Sequence, residues 1–270
     1  MSRQVQKSTM FAVAFAIWAV LLLPWDGVAA DPGPEEQNLY VAASLYAWTA
    51  GVDGDLRIAP GDRQHFDRGF FDTLEHIDFS GMARGNARWK RWVMYADLVY
   101  SDQTERSPLD PKYRPYDIVR AKTELALATV AGGYRVFSTG HSFIDILAGV
   151  RVLYLDVESQ LRESTGAFPT IPDENENTVA DPILMVRENV RIWRGLSLEI
   201  LFDIGGFGVG SDFSYEFFGG MRYPLPQWST NLFLGYRHLS IDYDSEAFTY
   251  DFENSGMVFG VEYEIGRPND

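Results

Sequence analysis

The chain has 270 residues, a formal net charge of −15 and no cysteine. That acidity argues against a nucleic-acid partner, because such binding relies on Lys and Arg to neutralise phosphates. The missing thiols exclude disulfides and thiolate metal sites.

Arg3 and Lys7 precede an apolar run from Met10 to Leu23, and Val28-Ala29-Ala30 supplies small residues before Asp31. This order predicts a secretory signal peptide over 1–30 and one barrel domain over 31–270. The run is shorter than the roughly 20 residues of a spanning helix. Losing two cations and one acid with this segment takes the charge from −15 to −16. Export and the strand pattern below place the protein in the bacterial outer membrane.

From there the chain alternates. Side chains in a strand point to opposite faces with period 2, and an outward face is assigned to the parity that carries apolar residues. The first strand, 39–48, turns Leu39, Val41, Ala43, Leu45 and Ala47 out. The second, 78–89, turns Phe79, Ala83, Ala87 and Trp89 out and Arg84, Asn86 and Arg88 in. The third, 92–100, has Trp92, Met94, Ala96, Leu98 and Tyr100 out and Tyr95 and Asp97 in. The fourth, near 118–136, reads Leu125, Leu127 and Thr129 as outward and Lys122 and Glu124 as inward. The fifth, 143–156, puts Ile144, Ile146, Ala148, Val150, Val152 and Tyr154 out, with Asp145 and Arg151 in.

The sixth, near 180–193, sends Leu184, Val186, Val190 and Ile192 out and Arg187, Asn189 and Arg191 in, with Glu188 a charge on the apolar parity. The seventh, 195–205, alternates Leu196, Leu198, Ile200, Phe202 and Ile204 against Ser197, Glu199 and Asp203. The eighth, 212–223, has Phe213, Tyr215, Phe217, Met221 and Tyr223 out, with Ser214, Glu216 and Arg222 in. The ninth, 229–241, has Leu232, Leu234 and Tyr236 out, with Asn231 and Arg237 in. The tenth, near 250–265, has Met257, Phe259, Val261, Tyr263 and Ile265 out, with Glu262 in.

Short links at 89–92, 137–141, 193–195 and 224–227 alternate with longer ones at 49–77, 101–117, 157–179, 205–212 and 242–249. The expected fold is all-β: a closed antiparallel transmembrane β-barrel of about ten strands, eight or twelve remaining open, with short periplasmic turns and long extracellular loops. A soluble barrel would invert the alternation, apolar in and polar out.

Several strings resemble an uncharacterised family of proteobacterial outer-membrane β-barrel proteins. They are SLYAWTAGVDGDL (44–56), FDTLEHIDFSGMARGNARWKRWVMYADLVY (71–100), AGGYRVF (131–137), DIGGFGVGSDFSYEFFGGMRY (203–223), LGYRHLSIDY (234–243) and SGMVFGVEYEIG (255–266). The resemblance implies a small barrel in the outer membrane, and it implies no enzyme activity. Such chains usually end on an aromatic residue that the barrel-assembly machinery recognises; this one continues past Tyr263 to Asp270.

The inward positions form a charge constellation. Arg84, Arg88, Lys122, Arg151, Arg187, Arg191, Arg222 and Arg237 face Asp97, Glu124, Asp145, Glu199, Asp203, Glu216 and Glu262. Buried charges must be paired or hydrated, so this is either a salt-bridged plug or a narrow conduit for a small solute or apolar ligand. In loop 49–77, Phe66, Phe70, Phe71, Leu74 and Ile77 recur at helical spacing, as in a short amphipathic segment at the mouth. Asp53, Asp55, Asp173, Glu174, Glu176, Asp242, Asp244, Glu246, Asp251 and Glu253 make the loops acidic, without the spacing of a calcium loop. No metal or other cofactor is expected, and the partners are outer-membrane lipids, lipopolysaccharide and the assembly machinery. For catalysis, the candidate is His238 beside Ser240 on the outward face, a pair that fits a lipid-modifying enzyme less well than an interfacial histidine.

Overall fold

Alternation over this many segments leaves one low-energy arrangement for a chain whose outward face is apolar: the sheet must close, so that no backbone donor or acceptor meets lipid. The computed structural model describes residues 39–58, 64–68, 77–108, 118–162, 171–193, 195–244 and 248–265. The signal-peptide segment lies outside these residues. The strands are β1 (Leu39–Trp48), β2 (Gly51–Ile58), β3 (Gln64–Arg68), β4 (Ile77–Trp89), β5 (Trp92–Pro108), β6 (Ile118–Ser138), β7 (Ser142–Arg162), β8 (Ile171–Trp193), β9 (Leu196–Gly205), β10 (Phe213–Leu225), β11 (Thr230–Asp244) and β12 (Phe248–Glu264). All neighbours are antiparallel, and β1 pairs with both β4 and β12, closing the ring.

Twelve strands make ten staves. β1 and β2 both run along β12, with Trp48 opposite Val258 and Gly51 opposite Ser255. At the break between them Thr49 stands in for the ladder. Its amide donates to the Met257 carbonyl at 2.8 Å, and its Oγ1 accepts from the Met257 amide at 3.0 Å. Gly256 makes that approach possible, since a Cβ there would lie 2.1 Å from the Thr49 carbonyl oxygen. β4 and β3 flank the same broken stave on its other side.

The short connections are tight for local reasons. Lys90 (φ 56°) sits in the turn between the paired Trp89 and Trp92, and Gly195 (φ 85°) in the turn between the paired Trp193 and Leu196. Positive φ is what two-residue hairpin turns require. A single 3-10 turn, Pro226–Trp228, joins β10 to β11.

Around the ring the outward face exposes large apolar side chains, among them Leu45, Met94, Leu98, Ile146, Val150, Leu184, Leu234 and Phe259. Trp89, Trp92, Trp193, Tyr223, Trp228 and Tyr263 are exposed at the short-turn end, the position of an interfacial aromatic girdle. On β5 the stretch from Trp92 to Tyr100 rises about 20 Å along the barrel axis, near the ~25 Å height of an outer-membrane apolar band.

Two expectations need correction. The parity of β6 is inverted: Leu127, Thr129 and Ala131 are buried in the lumen, while Val130, Tyr134 and Val136 are exposed. Lumen positions in this stave carry the larger aliphatics, so apolarity alone misassigned the faces. Two of the long links begin and end as strand, since β5 and β6 stay paired out to Pro108 and Ile118, and β7 and β8 out to Leu161 and Ile171. Of the residues at helical spacing over 66–77, Phe66 lies in β3 and Ile77 in β4, while Phe70, Phe71 and Leu74 lie outside the described residues.

Candidate functional site

Inward residues from nearly every stave meet in the lumen, in layers. The middle layer is a transverse chain of ion pairs. Asp97 on β5 accepts from Arg84 Nε on β4 at 3.3 Å, from Arg237 Nη1 on β11 at 3.0 Å and from the Tyr46 hydroxyl on β1 at 2.9 Å. Arg237 continues through Nη2 to Glu216 on β10 at 2.9 Å. Arg151 on β7 takes the same Glu216 oxygen at 2.9 Å and Asp203 on β9 at 2.7 Å. All these side chains are buried. Rings seat the guanidinium groups: Arg84 lies 4.8 Å from the centre of Phe218, and Arg237 lies 4.7 Å from that of Trp48. Cation–π contact adds to charge pairing where water is excluded.

On the long-loop side, the inward positions turn apolar, with Val99, Leu127, Leu153, Leu155, Leu239, Ile241 and Phe252 in one cluster. On the short-turn side lie two further groups. Glu199 joins Arg84 to Arg222, and Arg222 reaches Glu262 at 2.9 Å. Asp145 holds Arg135 at 2.8 Å and Arg187 at 2.7 Å, and Arg187 also donates to Asn86. Below them the lumen widens into a cavity of about 310 Å³ at the short-turn end.

Of the charges expected inside, Arg84, Asp97, Asp145, Arg151, Arg187, Glu199, Asp203, Glu216, Arg222, Arg237 and Glu262 are brought together. Arg88 and Arg191 stand at the mouth, donating to the carbonyls of Lys90 and Gly140. Lys122 and Glu124 are corrections. They share the parity of Val130 on the outer face, bonded to each other and set beside Asp102, 3.7 Å from Lys122. There β6 has passed the apolar band, so an outward charge meets water and costs little.

Three members went unread. Arg135 was hidden by the inverted parity of β6. Tyr46 falls on the inward parity of its strand, which does not by itself mark it as a partner of charge. Asp181 lies at the edge of its expected strand. It accepts from the Ser211 amide and hydroxyl, each at 2.6 Å, and from the Ser214 hydroxyl at 2.8 Å, tying down the link from β9 to β10.

On the outward face, His238 does not use Ser240. Its Nε2 is 2.9 Å from the Tyr215 hydroxyl and its Nδ1 2.6 Å from Ser255 Oγ. Among the described residues no cluster of His, Asp or Glu has the makings of a metal site.

The chain matches no protein-family model and no curated protein sequence. Among solved structures it is similar to the outer membrane protease OmpT from Escherichia coli, with a TM-score of 0.50 and 9% identity over 89% of this chain and 99% of that one. The fold is that of the outer-membrane β-barrels. The translocator domain of autotransporter NalP from Neisseria meningitidis aligns with a TM-score of 0.46 and 10% identity, covering 97% of this chain and 95% of that one. At 9% identity the likeness to OmpT speaks for architecture and not for activity.

Proposed function

We propose that this is a closed, non-conducting barrel of the bacterial outer membrane, held shut by its own ion pairs and acting through its two ends rather than through a pore. One observation carries the reading: the buried chain Arg84–Asp97–Arg237–Glu216–Arg151–Asp203 runs from wall to wall. A ten-stranded barrel has a backbone radius of about 10 Å, little more than long side chains from facing walls fill. The signs are balanced, whereas a selective ion path carries an excess of one. Lipopolysaccharide around the barrel and insertion by the assembly machinery belong to the same reading. No catalytic step belongs to it, and His238 serves there to tie Tyr215 and Ser255 together between neighbouring strands.

Planar-bilayer recording of the purified protein tests the reading. No stable conductance steps are expected; reproducible steps of a single size would overturn it.

A further inference from the structure

The short-turn end holds a feature that a structural plug does not need. The cavity of about 310 Å³ is of the smaller size used for small-molecule sites. Its wall draws Arg88, Arg135, Arg187, Arg191 and Arg222 from four different strands, against Glu199 and Glu264. In a chain of net charge −15 this is a concentration of cations.

Pairing leaves positive charge over at Arg135, Arg187 and Arg191. Arg135 and Arg187 share the single carboxylate of Asp145. Arg191 has a backbone carbonyl, that of Gly140, as its side-chain partner. The buried Nε of Arg222 has no hydrogen-bond partner among the described residues. Neutral polar residues complete the wall at the turn between β6 and β7. Here Thr139 Oγ1 accepts the amides of His141 and Ser142 at 3.3 and 3.0 Å and holds the turn in place. Planar guanidinium forks converging on one space match the oxygens of carboxylate and phosphate.

We propose that this cavity is a binding site for a small soluble molecule carrying two or more oxyanions, phosphate or carboxylate, entering from the periplasmic side. Its lining arginines stand on inward parities, so the route is aqueous. A phospholipid headgroup carries the same chemistry but must leave the interface and pass the rim to reach it. The site lies below the ion-pair plug, so it does not depend on whether the barrel conducts.

The test is calorimetric titration of the protein, purified in uncharged detergent, with inorganic pyrophosphate and with citrate. Saturable binding of one probe molecule per barrel, weakening with salt, is expected. Arg191→Gln should lower affinity about tenfold or more, the loss of one charge-assisted hydrogen bond. Arg88→Gln, also at the rim, should do the same and serves if the first variant fails to fold. Lys90→Gln, at the same end but directed at the Trp89 ring, should leave affinity unchanged. Equal losses in all three variants, unaltered binding in both arginine variants, or no saturable binding would each overturn the site. Repeating the titration in phosphatidylcholine and phosphatidylglycerol nanodiscs separates the two sources. An unchanged Arg191 effect supports a soluble ligand. Loss of that effect in phosphatidylglycerol alone assigns the cavity to the headgroup and overturns the soluble ligand.

Discussion

Arg84 on β4 and Glu199 on β9 stand on opposite staves of the ring, yet Nη1 of one lies 3.7 Å from Oε1 of the other. A pair that meets across the full lumen exists only when the sheet is closed, so the ion network reports barrel closure directly. It also sets the energetic stakes. Breaking a buried pair strands its partner without water.

Asp97→Leu should therefore destabilise the barrel by about 3–5 kcal/mol, because Arg84 and Arg237 each lose one of their two carboxylates. Urea unfolding in lipid, followed by tryptophan fluorescence, measures this. Adding Arg237→Met should recover part of the loss, with a coupling of about 0.5–3 kcal/mol. Strict additivity would show that the two side chains do not interact.

The outer face makes a depth-dependent prediction. Val150→Arg, in the exposed apolar band, should cost about 2–4 kcal/mol. Lys122→Leu, above the band, should change stability by no more than about 0.5 kcal/mol. Comparable effects at both sites would mean that the band is misplaced along the staves.

Asp181→Ala removes three hydrogen bonds that hold the β9–β10 link, in which Val209 is 76% exposed. Limited proteolysis should cut between Gly206 and Asp212 in the variant and spare the parent. Equal resistance would show that the link is held by something else.

His238→Ala should lower stability by about 1–3 kcal/mol through the loss of its bonds to Tyr215 and Ser255. The phospholipid and lipid A profiles of cells carrying the variant should match those of the parent. An altered profile would reopen a catalytic role.

Much of this was legible in the alternation, and the failures have physical causes. In β9, Leu198 and Ile200 against Glu199 and Asp203 leave one assignment of faces. In β6, Leu125-Ala126-Leu127-Ala128 is apolar on both parities, and the bulkier side belongs inside because the upper lumen is itself apolar. Lys122 and Glu124 were read inward because charge disfavours lipid, a rule that lapses where the strand outlasts the membrane. The charged inward residues of the network, Arg135 and Asp181 apart, could be named in advance. Their partners could not, because Arg84 and Glu199 are related by the curvature of the ring and not by any spacing along the chain.

Closure along β1 and β12 joins Ala42 to Glu264, from the two extremes of the described chain. Every other junction except those of β1 and β2 is a hairpin between consecutive strands. Those hairpins zip up locally, whereas the seam carries the largest loop-closure entropy and forms last. Until it does, Arg84 and Glu199 lie five strands apart in an open sheet and each remains hydrated. Shedding that water and sealing the seam are thus one event, and a late, slow phase of insertion should respond to mutations at either place.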